Sequence, residues 1–264
     1  MVVGEEMIIP ELVDGCQLRC ALCWNRNRKA SGRQMSLDIV KKVIEKYGDY
    51  PRLEWFNWGE PLLHKQFVEV SQLIRPTNSR ISTNLSLVLS DEYLSALNNF
   101  KTVYISLSGM TADTYAIYHI GGNFERVMEN LQRYLQICAT KVVIRWLYHK
   151  NNRHQFDECQ RFCVDRKLHF SKVTLNCEVE DILSGFQHEL LDPVKPDNRD
   201  SQCRIIKWVP IDVDGRYLLC CASHNVDTGY TIFDDITMEE LINIKSKLPL
   251  CVQCQQCCAW KHFR

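Results

Sequence analysis

Met7-Ile8-Ile9-Pro10-Glu11-Leu12-Val13 runs, after Asp14-Gly15, into Cys16-Gln17-Leu18-Arg19-Cys20-Ala21-Leu22-Cys23. A short apolar run reads as a strand, and it delivers three cysteines spaced C-x3-C-x2-C onto a tight loop. Beyond it, strand-like runs at about 52–57, 78–83, 102–107, 141–147 and 171–176 alternate with helical patterns at about 37–48, 65–74, 90–99, 111–137 and 153–166. Ser36-Leu37-Asp38 and Ser90-Asp91-Glu92 have the composition of helix starts. Six strands with five helical segments between them make repeated βαβ units and a parallel sheet. The fold class expected is therefore α/β, a (β/α)6 partial barrel shorter than the closed eight-fold form. Pro10 has no N–H for a ladder, so it places the first strand at an open edge.

A change of character follows residue 177. Asp192-Pro193, Lys195-Pro196 and Asp197-Asn198 are breakers in a stretch of weak periodicity, residues 178–200, read as a connector. Val209-Pro210-Ile211-Asp212-Val213, Asp214-Gly215 and Arg216-Tyr217-Leu218-Leu219 read as a hairpin with an Asp-Gly turn, and a helix is expected at about 237–247. The organisation expected is a partial barrel over 1–177, the connector, and a small C-terminal module over 201–264.

The composition narrows the function. The 264 residues carry 32 basic and 32 acidic side chains, a balance that points to neither nucleic acid nor an anionic membrane as a partner. The N-terminus lacks the pattern of a signal peptide, and no apolar run reaches membrane-spanning length, so the compartment expected is the cytoplasm. Fourteen cysteines in a reducing compartment call for metal or redox chemistry rather than disulfides. Three lie at positions 16–23 and seven between 203 and 258, which suggests two sites. Cys138, Cys159, Cys163 and Cys177 read as core. At the first site three thiolates suit a [4Fe–4S] cluster with one iron left open. Zinc is the alternative, although a structural zinc wants a fourth ligand and no Cys or His lies close by in sequence.

The spacing of Cys16, Cys20 and Cys23 after the first strand resembles the signature of the radical S-adenosylmethionine (SAM) superfamily. The resemblance covers roughly residues 7–177. It implies that SAM binds the open iron and is cleaved to a 5′-deoxyadenosyl radical, with a flavodoxin- or ferredoxin-type protein as electron donor. Asn57-Trp58-Gly59-Glu60-Pro61 is similar to the family's Gly-Gly-Glu-Pro segment, with Trp58 in place of the first glycine, which implies that Gly59 and Glu60 meet the SAM amino group. Ser82-Thr83-Asn84 resembles the ribose-contacting segment. Ser106-Leu107-Ser108-Gly109 falls where the family contacts the carboxylate or ribose. Arg145 is a candidate partner for the methionine carboxylate, since a guanidinium matches carboxylate geometry. Each also has a plainer reading as a turn, a strand-end hydrogen bond or a structural ion pair. The family often places an aromatic residue just before the third cysteine. Leu22 stands there, so Leu22 or Trp24 is left to pack on the adenine. Arg26, Arg28, Lys29 and Arg33 read first as a solvated basic loop. Gly121-Gly122 interrupts the fourth helical region, either as an ordinary break or as an opening near the substrate.

Cys203, the segment Gly215-Arg216-Tyr217-Leu218-Leu219-Cys220, and Cys251-Val252-Gln253-Cys254 resemble the Twitch module, a short relative of the SPASM domain. The resemblance implies an auxiliary [4Fe–4S] cluster on Cys203, Cys220, Cys251 and Cys254, with a four-thiolate zinc site as the alternative. The activity expected is oxidation or rearrangement of a small polar metabolite by a radical SAM oxidoreductase. The alternative substrate is a peptide or protein.

Overall fold

The computed structural model describes residues 6–21, 23–26, 30–174, 206–221 and 223–247. The described strands are β1 (Met7–Pro10), β2 (Leu53–Glu54), β3 (Ser79–Thr83), β4 (Thr102–Leu107), β5 (Lys141–Tyr148), β6 (His169–Thr174), β7 (Trp208–Ile211), β8 (Arg216–Cys220) and β9 (Ser223–Thr231). Between them lie α1 (Leu37–Tyr47), α2 (Phe67–Leu73), α3 (Asp91–Ala96), α4 (Ala112–Tyr118), α5 (Phe124–Ile137) and α6 (Phe156–Asp165), with α7 (Met238–Lys247) after β9. They form one nine-stranded sheet in the order β6-β5-β4-β3-β2-β1-β7-β8-β9. Neighbours from β6 to β7 are parallel, while β8 and β9 run antiparallel. The first six strands are thus wound in sequence order, as the alternating pattern requires.

Local chemistry sets the helix boundaries. The Ser36 and Ser90 hydroxyls accept from Ile39 N and Tyr93 N, both at 3.3 Å, so both expected helix starts are real caps. The long helical region expected at 111–137 is two helices. Gly121 adopts φ +83°, and a Cβ on Gly122 would stand 2.7 Å from the Tyr115 ring, so both glycines are required at the break.

The expectation that β1 is an edge strand is overturned. β7 pairs with it along its whole length, Ile9 opposite Pro210 and Pro10 opposite Ile211. Pro10 is tolerated because of parity. Met7 N and Glu11 N point to β7, bonding Lys207 O and Ile211 O, whereas Ile8 N points to β2. Pro10 shares the direction of Ile8, and β2 pairs with β1 at Ile8 and Leu53, before Pro10 is reached. The missing N–H therefore faces the side where the ladder has already ended.

The two faces of the sheet differ. Ile8, Ile81, Val103, Ile105, Ile144 and Trp146 point under the helices and are fully buried, each contributing roughly 1.5–3 kcal/mol of hydrophobic stabilisation. Alternate positions (Arg80, Ser82, Tyr104, Ser106, Arg145, Ser171) point to the concave face and are half-buried. The added strands are tied to the first six by Tyr47 Oη and Tyr217 Oη, 2.7 Å apart in the core, and by an Arg33–Asp214 ion pair. Either tyrosine changed to phenylalanine leaves a buried hydroxyl alone. Tyr47→Phe and Tyr217→Phe should each cost about 1–2 kcal/mol in denaturant unfolding, and the double variant should cost clearly less than the sum. Strict additivity would show that this bond does not couple α1 to β8.

Candidate active site at the carboxyl ends of the strands

Cys16, Cys20 and Cys23 sit on the loop that leaves β1, each half-buried and with a free thiol. Backbone bonds hold that loop on two sides. Arg19 N and Ala21 N donate to Ile120 O and Tyr118 O, each at 2.9 Å, so the break between α4 and α5 supplies the carbonyls that receive the cysteine loop. Asp14 N and Met35 N bond across to Arg33 O and Leu12 O, which closes the base of the loop. Burial pushes the Cys16 thiol up to about 12, with the Glu60 charge adding to it. Cys20 and Cys23 are also raised, burial again first. Neutral buried thiols of this kind must lose protons to bind iron.

The loop after β2 is locked to the cysteine loop by three contacts. A Cβ on Gly59 would stand 1.7 Å from Val13 O and 3.0 Å from Gly15 O, so glycine is the residue that fits. Glu60 N donates to Gly15 O at 2.8 Å. The buried Glu11 carboxylate accepts from Trp58 N and Gly59 N at 3.0 and 3.1 Å. Glu60 itself is buried and fully engaged. Its Oε1 accepts from Thr83 Oγ1 and Leu62 N, and its Oε2 from Asn84 N at 2.9 Å. Burial pushes its carboxyl up to about 7, against these three bonds that pull it down. Glu60 therefore binds the loop after β2 to the loop after β3.

Asn84 lies beside the cysteines. Its Nδ2 is 3.7 Å from Cys16 Sγ, and its Oδ1 accepts from Gln17 Nε2 and Ser86 N. Ser108 is buried and turned away: its Oγ donates to Tyr115 O and lies 2.6 Å from His119 Nδ1, which fixes α4 against the end of β4. Burial, and then the neighbouring His149, push the His119 imidazole down to about 3, so it is neutral. Ser106 and Arg145 are register neighbours on the concave face. The Arg145 guanidinium lies 4.0 Å from the Tyr104 ring centre and 5.4 Å from that of Phe56. Burial pushes it down from the usual arginine range, and the Glu54 charge opposes that shift.

The structure thus gathers Cys16, Cys20, Cys23, Gly59, Glu60 and Asn84 at one end of the sheet. Ser108 serves α4, and Arg145 lies against the rings of the lumen. Glu11 and Gln17 were missed by sequence reasoning, although a lone acid inside the apolar run 7–13 was the available signal for Glu11. Of the basic loop, Arg33 is paired with Asp214, and Arg28 and Lys29 lie outside the described residues, as do Leu22 and the side chain of Trp24. Cys220 closes β8 half-buried, while Cys203, Cys251 and Cys254 lie outside the described residues. Cys159 and Cys163 are buried on α6, as expected of core cysteines.

The donor set fits an iron–sulfur cluster. Three soft thiols share one loop, the donor type and number that leave one iron of a [4Fe–4S] cluster open. No described helix is long and apolar enough to cross a membrane.

This barrel, with three cysteines after its first strand, matches the family model of the radical SAM superfamily over residues 11–163, and the chain belongs to that superfamily. A probable GTP 3′,8-cyclase of Methanocella arvoryzae is 26% identical over 144 residues, covering 53% of this chain and 46% of the relative. The chain spans about half the length of the curated relatives it matches. The fold is similar to that of Streptococcus suis SuiB bound to S-adenosylmethionine, with TM-score 0.71 and 16% identity, over 97% of this chain and 71% of SuiB. Native anSMEcpe with bound AdoMet matches at TM-score 0.64 and 16% identity, over 97% and 87%.

Gly59→Ala places a methyl group on a backbone carbonyl that cannot move without shifting the cysteine loop. It should destabilise the protein by at least about 3 kcal/mol and lower iron uptake on reconstitution. Wild-type melting and iron content in that variant would refute the contact.

Proposed function

We propose that this chain binds a [4Fe–4S] cluster through Cys16, Cys20 and Cys23 and uses it to cleave SAM, abstracting hydrogen from a small polar metabolite in the concave lumen, which is oxidised or rearranged. When bound, cluster and SAM supply the electron and the 5′-deoxyadenosyl radical; the protein supplies position and exclusion of water. The observation that carries the reading is the placement of the three thiols, on a loop after β1 that backbone bonds pin to the α4–α5 break and to the loop after β2.

In this reading the SAM contacts are those that the resemblance implies, held by the loop geometry. The backbone around Gly59 meets the amino group, and Glu60 keeps that backbone in place through Thr83 and Asn84. Asn84 stands at the ribose, beside Cys16. Ser108 contributes by seating α4, whose carboxyl end receives the cysteine loop.

The division into a barrel over 1–177, a connector over 178–200 and a Twitch module over 201–264 is part of the same proposal. Cys203, Cys220, Cys251 and Cys254 would hold an auxiliary [4Fe–4S] cluster there, able to take the second electron of a two-electron oxidation. A second reading makes the substrate a peptide. It is favoured by the likeness to SuiB, a structure of which contains the precursor peptide SuiA.

Anaerobically reconstituted protein should hold about eight irons, four per cluster, and changing Cys16, Cys20 and Cys23 together to Ala should leave about four. With dithionite the wild type should form 5′-deoxyadenosine and Cys20→Ala should not. Cleavage that survives in Cys20→Ala would overturn the proposal, and zinc at the C-terminal cysteines would overturn its auxiliary cluster. Glu60→Ala should weaken SAM binding by about tenfold or more, since three donors lose their acceptor together. Unchanged SAM affinity in that variant would remove Glu60 from the site. A folded Cys254→Ala variant should keep SAM cleavage and lose oxidised product; full product would refute electron acceptance.

A further inference from the structure

Ser106, Arg145 and Ser171 stand side by side across β4, β5 and β6, since Arg145 is the register partner of both serines. All three are half-buried on the concave face. All three are hydrogen-bond donors. Among the described residues neither serine hydroxyl has a partner, and no carboxylate comes within ion-pair distance of Arg145. Glu54 is the nearby acid, but its Oε1 is already shared by Arg52 and Arg80. The two arginines paired with Glu54 are thus Arg52 and Arg80, and Arg145 is not among them. The Arg145 guanidinium also lies over the Tyr104 ring and close to Phe56. A cation drawn out of water against aromatic rings, with the Glu54 charge near but no carboxylate at ion-pair distance, is a costly arrangement unless an anion meets its open edge.

We propose that this row is the substrate's oxyanion site. The substrate carries a carboxylate or phosphate, received in bidentate fashion by Arg145 and flanked by the hydroxyls of Ser106 and Ser171. The proposal rests on the reading of the chain as a radical SAM enzyme acting in the lumen, and it names the chemical class of that substrate.

The geometry separates this row from the carboxylate of SAM. In that reading the carboxylate of SAM ligates the open iron, so it must lie beside Cys16, Cys20 and Cys23. Arg145 leans the other way. Tyr104 is level with Val143, two residues toward the amino end of β5. The charged side chains that act on Arg145 are Glu54 and Arg52, both at β2. At Cys16 and Cys23 the arginine that acts is Arg19. Arg145 thus belongs to the lumen rather than to the cysteine loop, in place of the role expected from the sequence.

The test is calorimetric titration of the reconstituted, SAM-saturated holoenzyme with inorganic phosphate, with succinate and with glycerol as the uncharged control. SAM affinity is measured first, by equilibrium dialysis, in every variant. The wild type should bind one of the two anions and not glycerol, and the better ligand identifies which oxyanion the substrate carries. Arg145→Met should weaken that anion at least about tenfold and leave SAM affinity within about twofold. Arg145→Lys should recover part of the loss, since lysine keeps the charge without the planar fork. Ser171→Ala should cause a smaller loss of the same kind, and it serves as the test should Arg145→Met not fold. A SAM-saturated wild type that binds neither anion better than glycerol overturns the proposal. So does an Arg145→Met protein with weakened SAM and unchanged anion affinity, which would return Arg145 to the SAM carboxylate. A wild type that takes up no SAM at all defeats the underlying reading instead, and does so before any anion is added.

Discussion

The carbonyl of Val13 occupies the space that a side chain at position 59 would need. This contact of backbone on backbone sets the height of the cysteine loop over the sheet, and the surrounding polar groups are arranged to preserve it. Glu11 holds Trp58 and Gly59 from below, and Gly15 O receives Glu60 N from the other side. Glu60 passes the constraint on to Thr83 and Asn84, and Asn84 returns it to Cys16. Three loops, after β1, β2 and β3, are in this way one rigid unit. Buried polar networks of this kind stabilise only when every member is satisfied, which is why a single methyl group at position 59 has consequences at the cysteines.

The rest of the molecule follows from the difference between the two faces of the sheet. The outer face is aliphatic and closed under helices, which is where most of the folding free energy is gained. The concave face is more polar and in part half-buried, and it is less suited to stabilising the fold than to holding a ligand. Burial raises both the thiols and the Glu60 carboxyl, so one environment sets the protonation of both sets of groups.

Features governed by local chemistry were legible in the sequence. The cysteine spacing, the helix starts at Ser36 and Ser90, the break at Gly121-Gly122 and the Asp-Gly turn at 214–215 each depend on neighbours within a few residues. Pro10 was misread because its environment is not local: its edge is covered by β7, which arrives from the far end of the chain. The alternation of residues along β5 places Arg145 on the concave face, but periodicity gives the face and not the direction of a long side chain. The rings of Phe56 and Tyr104 decide that direction, and they come from other strands. Ser108 was misleading for a similar reason, since it takes the tertiary partners Tyr115 and His119. For the C-terminal cysteines the sequence pattern remains the source of the reading, because Cys203, Cys251 and Cys254 lie outside the described residues.

The central claim is that the iron held by Cys16, Cys20 and Cys23 has a position open to SAM. Electron paramagnetic resonance of the dithionite-reduced protein, recorded with and without SAM, tests it most directly. With Cys220 changed to Ser, to reduce overlap from a second cluster, the reduced signal should shift when SAM is added, because the amino and carboxylate groups enter the coordination sphere of one iron. An identical spectrum before and after saturation with SAM would contradict the open site on which the proposed chemistry depends.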